Sequence, residues 1–153
     1  MDTKKVEFLL EEALAENPSL FLISLDYLPG NKIKVVVDGD SGVSLKECMR
    51  ISRNIDHNMG EELDDFTLEV SSPDISEPLK VHRQYLKNLG RTLDVKANDQ
   101  SFEGVLKEVT DDHIVLAWKA REPKPIGKGK VTVEKTATLT HKEISEAKVK
   151  IIF

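Results

Sequence analysis

One cysteine, Cys48, in 153 residues rules out an internal disulfide framework. No apolar run approaches the roughly 20 residues that a membrane-spanning helix needs, so no contact with a membrane is expected. The opening stretch, MDTKKVEFLLEEALAENP, is not expected to be an export signal, because Glu11, Glu12 and Glu16 break up its apolar character. With one thiol and no export signal, the cytoplasm is the expected compartment. The chain also lacks H-E-x-x-H, G-x-S-x-G and the glycine patterns of nucleotide-binding loops. Its four histidines, His57, His82, His113 and His141, have no partners at metal-ligand spacing. Asp38-Gly39-Asp40-Ser41-Gly42 has too few ligands for calcium and no lysine after its last glycine for phosphate, and it reads as a turn. Ser71, Ser72, Asp74 and His82 offer a hydroxyl, a carboxylate and an imidazole, but the surrounding turn sequence assigns the serines to backbone hydrogen bonds. Cys48 falls on a predicted apolar helix stripe, where a reactive thiolate is not expected. No catalytic residue, cofactor or metal is therefore expected.

A hydrophobic content of 39% is enough for folded cores. Val6, Leu9, Leu10, Ala13 and Leu14 follow a helical stripe and predict a helix over Thr3–Glu16, capped by Asp2 or Thr3 and ended before Pro18. Strands over Leu20–Tyr27 and Lys32–Asp38 flank the turn Pro29-Gly30-Asn31, with Ile33, Val35 and Val37 facing one way. Ser44-Leu45-Lys46-Glu47 reads as a capping box. The helix it opens carries Cys48, Ile51, Ser52, Ile55 and Met59 on one face and ends at Gly60. Arg50 and Arg53 point away from that face and are candidate surface contacts. Phe66, Leu68 and Val70 alternate in a third strand, Phe66–Ser71. The order α-β-β-α-β predicts two helices covering one face of a three-stranded sheet.

Pro73 and Pro78 then interrupt regular structure. A short basic helix is expected over Val81–Asn88, closed by a left-handed Gly90. Tyr85 and Leu89 are placed on one of its faces, and Lys80, Arg83 and Lys87 on another. Beyond it the pattern is all strand. Leu93, Val95 and Ala97 alternate, Asn98-Asp99 turns the chain, and Ser101–Thr110 follows with a bend or bulge expected at Gly104. Asp111-Asp112 leads to His113–Lys119 and then to Lys130–Leu139. Thr140-His141-Lys142-Glu143 resembles a cap for one helical turn before a closing strand with Ala147, Val149 and Ile151. Five short strands predict a small barrel, since closure protects sheet edges. The expected division is residues 1–74, a joint with a short helix over 75–90, and 91–153.

The joint carries a family resemblance. LEVSSPDISEPL, Leu68 to Leu79, resembles the signature of the ribosome maturation factor RimP family, where a strand ends in V-S-S-P-G and leads to D-R-P-L. The matching residues are Ser71, Ser72, Pro73, Pro78 and Leu79. GVSLKECMRISRNID, from Gly42, precedes it and YLKNLGRTLDVK, from Tyr85, follows it, as in that family, and the resemblance extends over essentially the whole chain. Asp74 stands where the family has glycine, and a left-handed Asp74 is expected to keep the bend. Ser76-Glu77 replaces D-R, putting an anion where the family has a cation. The resemblance implies an α+β protein, an α/β domain followed by an SH3-like or Sm-like β-barrel. It also implies a non-enzymatic factor that binds the free small ribosomal subunit through ribosomal RNA and a ribosomal protein.

Charge divides in the same place. Met1–Pro73 holds 7 Lys+Arg against 15 Asp+Glu, a net of −8, and the rest holds 15 against 12, a net of +3. That split suits a protein touching both a basic protein and nucleic acid. Lys119–Lys130, KAREPKPIGKGK, supplies Lys119, Arg121, Lys124, Lys128 and Lys130 against Glu122 alone, and is expected to be an extended loop lying along phosphates. It has no aromatic residue for base stacking, so sequence-independent binding is expected. Lys80, Arg83 and Lys87 are the second RNA-binding candidates. The protein is expected to be a monomer. The alternative is an adaptor whose barrel binds peptides without RNA, but Tyr85, Phe102, Trp118 and Phe153 are few for an aromatic groove. Trp118, at the base of the basic segment, is expected to pack at the barrel rim.

Overall fold

Asp2 starts the first helix. Its carboxylate accepts the backbone N–H groups of Lys4 and Lys5, at 3.1 and 3.2 Å, a cap worth about 1 kcal/mol. Helix α1 spans Thr3–Ala15 and buries Val6, Leu9, Leu10 and Ala13. This computed structural model describes residues 1–150. The chain forms two compact units, Met1–Asp74 and Ile75–Phe153.

In the first unit, strands β1 (Leu20–Leu28) and β2 (Lys32–Gly39) form an antiparallel hairpin. Gly30 and Asn31 both take positive φ, 83° and 57°, which lets a three-residue connection match the strand twist. Helix α2 (Leu45–Met59) and a 3-10 turn (Gly60–Leu63) lead to β3 (Thr67–Ser71), which pairs parallel with β2. The sheet order is β1-β2-β3. Ile33, Val35 and Val37 are fully buried against Val6 and Leu10 of α1 and Ile51 and Ile55 of α2. The two-helix, three-stranded arrangement expected from the order of elements is present.

The turn after β2 is tight. Gly39 carbonyl oxygen accepts the Gly42 N–H at 2.9 Å, and Asp40 N–H donates to Ser19 at 2.8 Å. A Cβ at Gly39 would stand 2.1 Å from the Gly42 carbonyl oxygen, so only glycine fits. The capping box of α2 is half formed. Ser44 Oγ accepts the Glu47 N–H at 3.2 Å. The Glu47 carboxylate does not reach back, because Arg50 Nη2 holds it at 2.7 Å.

Near the start of the second unit, Leu79 N–H donates to the Ala147 carbonyl oxygen at 2.7 Å. Helix α3 (His82–Lys87) is shorter than expected and starts without a capping side chain on Val81. Gln84 does that work from within: its Oε1 accepts the N–H groups of Lys80 and Val81, at 2.6 and 3.1 Å. Because the helix stops at Lys87, Leu89 lies beyond it and is exposed, and does not share the buried face of Tyr85. Five antiparallel strands follow, β4 (Thr92–Ala97), β5 (Gln100–Val109), β6 (His113–Pro123), β7 (Lys130–Thr140) and β8 (Ile144–Val149). Their order is β7-β6-β5-β4-β8, the last strand returning beside the first. Among the described residues no ladder joins β7 to β8, so the expected closed barrel is not formed by hydrogen bonding. Every strand nevertheless contributes to one core, with Leu93, Val95, Leu106, Ile114 and Leu116 at its centre.

Three local expectations change. Gly104 pairs in register with Leu93, and the bulge falls two residues later, between Leu106 and Glu108. Gly104 is needed for close approach instead, since a Cβ there would lie 2.9 Å from the Ala117 carbonyl oxygen. Residues 141–143 form a turn, not a helical turn, although Thr140 Oγ1 does accept the Glu143 N–H and donates to its carboxylate. Asp74 is not among the residues with positive φ, so the chain bends after Pro73 without a left-handed residue there. Ile151, expected to end the closing strand, lies outside the described residues.

Candidate nucleic-acid interface

Half of the basic segment is strand, not loop. β6 continues to Pro123 and β7 starts at Lys130, in a ladder that pairs Lys119 with Glu134, Arg121 with Thr132 and Pro123 with Lys130. Only residues 124–129 form the turn, closed by Lys124 N–H donating to the Gly129 carbonyl oxygen at 3.2 Å, with Gly127 and Gly129 at φ 91° and 95°. Pro123 did not break the strand because it sits at the last pair, where a missing N–H costs little.

Strand geometry then sorts the side chains. Directly opposed residues share a face and alternate residues lie about 7 Å apart. Lys119, Arg121 and Lys130 therefore line one face of this two-stranded arm, with Thr132 and Glu134. Trp118, Ala120, Glu122, Val131, Val133 and Lys135 line the other. Glu122, the one anion inside the basic segment, is ion-paired with Lys135 on that second face, away from the three aligned cations. Lys124 and Lys128 are exposed in the turn. Trp118 packs at the arm's base against Phe102, with ring centroids 6.2 Å apart, and joins the core rim as expected.

Lys80 is exposed in the lead-in to α3, and Arg83 and Lys87 are half-buried one helical turn apart. Ser71 ends β3 opposite Val36, while Leu79 is tied to β8 and Pro78 lines a cleft in the second unit, so the two ends of the V-S-S-P motif region belong to different units. Glu77 is exposed.

Arg50 is not available as a surface contact. Its guanidinium donates to the Ala13 carbonyl oxygen at 2.8 Å and pairs with Glu16 at 2.6 Å and Glu47 at 2.7 Å, closing the C-terminal end of α1 onto α2. Arg50→Ala is expected to cost about 1–3 kcal/mol in urea titrations, because it strips a charged donor from a helix end. Arg53→Ala, at an exposed position, is expected to stay within about 0.5 kcal/mol. Equal losses would remove the special role of Arg50.

Cys48 is buried, and burial, helped by the neighbouring Glu47 carboxylate, pushes its thiol up. In the folded protein it is expected to react with a disulfide reagent at least about a hundredfold more slowly than in the urea-unfolded chain. Comparable rates would show an accessible thiolate.

Sequence reading missed one cluster. The register His113 opposite Thr140 sets the turns 110–113 and 140–143 side by side. His141 lies edge-on to Tyr85 and to His82, at centroid distances of 5.3 and 6.3 Å, and its Nε2 is 3.1 Å from the Thr110 carbonyl oxygen. That contact requires a proton on Nε2. His82 Nε2 lies 3.7 Å from the exposed Asp111 carboxylate. These groups border a cleft of about 400 Å³ with Pro78 and Leu79, and burial pushes the Tyr85 hydroxyl up. No spacing in the sequence signals it; only strand register does. Among the described residues no set of three potential ligands is placed to hold a metal ion, and no helix is long and apolar enough to cross a membrane.

The architecture defines a two-unit α+β protein, its first unit acidic and its second bearing a cationic β-arm. The family description "RimP N-terminal domain" matches residues 9–76. Proteins called ribosome maturation factor RimP align along nearly all of the chain. That of Christiangramia forsetii is 55% identical over 98% of each chain, and that of Flavobacterium psychrophilum 51% over 98% of this chain and 97% of its own. That of Porphyromonas gingivalis is 35% identical over 86% and 87%. The chain belongs to the RimP family.

Proposed function

We propose that this protein is a non-enzymatic ribosome maturation factor that binds the free small ribosomal subunit in the cytoplasm and acts as a monomer. Its family membership supports the maturation role, because the relatives carry that name. The observation that carries the mode of binding is the alignment of Lys119, Arg121 and Lys130 on one face of the arm, with Lys124 and Lys128 at its turn. Such a face can lie along a phosphate backbone, releasing a counterion for each charge neutralised. The acidic first unit supplies the complementary surface for a basic ribosomal protein. Binding then favours the RNA conformation that fits both surfaces, and release follows when maturation removes that fit. The SH3-like or Sm-like reading of the second unit rests on its strand order, a meander whose last strand returns beside its first. A peptide-binding barrel is less well supported, since Phe102 and Trp118 are committed to the core rim.

Cosedimentation with purified free small subunits across a salt series tests this reading. Binding that weakens steeply with salt is expected, and no binding at any salt concentration would overturn it. The two units are also proposed to fold independently. Residues 1–74 and 75–153, expressed separately, are each expected to give a cooperative calorimetric transition. Broad, non-cooperative traces from both would refute the division.

A further inference from the structure

β3 is an edge of the first sheet, and its outer side is built to accept a strand. Thr67 N–H donates to the Asn31 carbonyl oxygen, so Thr67, Glu69 and Ser71 direct their backbone groups at β2. Alternation then turns the N–H and C=O of Leu68 and Val70 outward. The strand has no proline and pairs with β2 without a bulge, and its protection is confined to its five-residue length and to Glu69. The opposite edge differs: β1 breaks register between Leu22 and Ser24.

Helix α2 overhangs the same edge. Leu45, Met49, Ser52 and Asp56 recur at spacings of four, three and four, one stripe of the helix. Leu45 is 77% exposed and Met49 44%. Between this stripe and Leu68 and Val70 runs a groove of about 430 Å³. A crossover helix runs antiparallel to the strand it leads to, so the apolar end, Leu45 and Met49, lies toward Val70. Asp56 lies toward the start of β3, where Asp64 and Asp65 are exposed. The groove itself is lined by apolar side chains and by Lys32 and Glu69, ion-paired at 3.3 Å, within a region whose net charge is −8.

The geometry points to β3 as the docking edge for an extended basic protein segment, which adds a fourth strand to the sheet. Main-chain bonds to Leu68 and Val70 hold it, an apolar side chain fills the space over Leu45 and Met49, and basic ones meet Glu69 and the exposed Asp64 and Asp65 just before the strand. This locates the contact with a basic ribosomal protein and rests on the proposed function for that partner.

The test uses the full chain and an amidated eight-residue peptide of alternating Lys and Val. At saturation, amide exchange at Leu68 and Val70 is expected to slow about tenfold or more, while β1 amides do not change. The same peptide N-methylated at alternate residues, made in both registers, keeps its charge but is expected to protect neither amide in the register that blocks pairing. Leu45→Ser with Met49→Ser is expected to weaken binding about tenfold or more without unfolding the protein, as both side chains are already exposed. Absent protection at Leu68 and Val70, or equal protection by both methylated peptides, would overturn the proposal. Cosedimentation of the wild type with free small subunits is read separately: its failure would sink the maturation reading, while the peptide result still decides the edge.

Discussion

Changing Lys124, Lys128 and Lys130 together to Ser is expected to lower the slope of log affinity for free small subunits against log salt by about two to three units, at roughly 0.7–0.9 per phosphate contact. At low salt that is a loss of orders of magnitude in affinity, and it shrinks as salt rises because fewer counterions remain to be released. The fold should be unaffected. Lys124 and Lys128 are exposed in the turn, and Lys130, at the first pair of β7, contributes its backbone to the ladder and its side chain to solvent. Contacts assigned to the acidic unit should also persist, so the variant should keep its affinity for a basic ribosomal protein at a given salt concentration. Equal slopes for variant and wild type would show that the turn is only solvated. The phosphate contacts would then have to come from Lys80, Arg83 and Lys87.

Gly39→Ala is expected to destabilise the first unit by about 3 kcal/mol, a large share of the roughly 5–15 kcal/mol that holds a typical domain folded. The obstruction is backbone, not a side chain that could swing aside. The Gly42 carbonyl oxygen would lie 2.1 Å away, Gly42 is held in the turn by its N–H bond to the Gly39 carbonyl oxygen, and Gly39 is paired with Leu20 at the end of the hairpin. Gly30→Ala is the natural comparison. Nothing lies within 4 Å of its added Cβ, and the cost is only that of φ +83°, about 1 kcal/mol. Urea titration followed by circular dichroism should show the difference. The chain's single tryptophan, Trp118, lies in the second unit, so its fluorescence should report a transition that neither substitution moves. If Gly39→Ala costs no more than Gly30→Ala, the turn yields more easily than its bonding implies.

How much of this was legible depended on the kind of signal. The first unit was, nearly to its ends, because each element carries its own periodicity and its own stop: Val6 to Leu14 before Pro18, Ile33 to Val37 after Gly30, Cys48 to Met59 before Gly60. The arm was misread as a loop because Pro123, Gly127 and Gly129 look like breakers in sequence, whereas register places Pro123 where the ladder ends. Gly104 was misread for a related reason. A glycine within a strand signals either a bulge or a close neighbour, and only the three-dimensional approach of Ala117 separates the two. Arg50 looked like an exposed cation because two of its partners, Ala13 and Glu16, lie at the end of another helix. The grouping of His82, Tyr85 and His141 was beyond reach for the same reason, being a product of strand pairing.

The return of β8 to the side of β4 also sets an order in time. Ala97 meets Gln100 across a two-residue turn but meets Ile144 only after the whole meander has been laid down. Each tenfold lengthening of the closed loop adds about 2 kcal/mol of entropic cost, so the β4–β5, β5–β6 and β6–β7 hairpins are expected to form before β8 docks. Until then β4 is a bare edge, its Leu93 and Val95 lacking part of their cover. The cationic arm, finished early by its own local ladder, is in place during that interval. Like charges on it are then expected to repel the arms of other unfinished molecules while β4 lacks its partner.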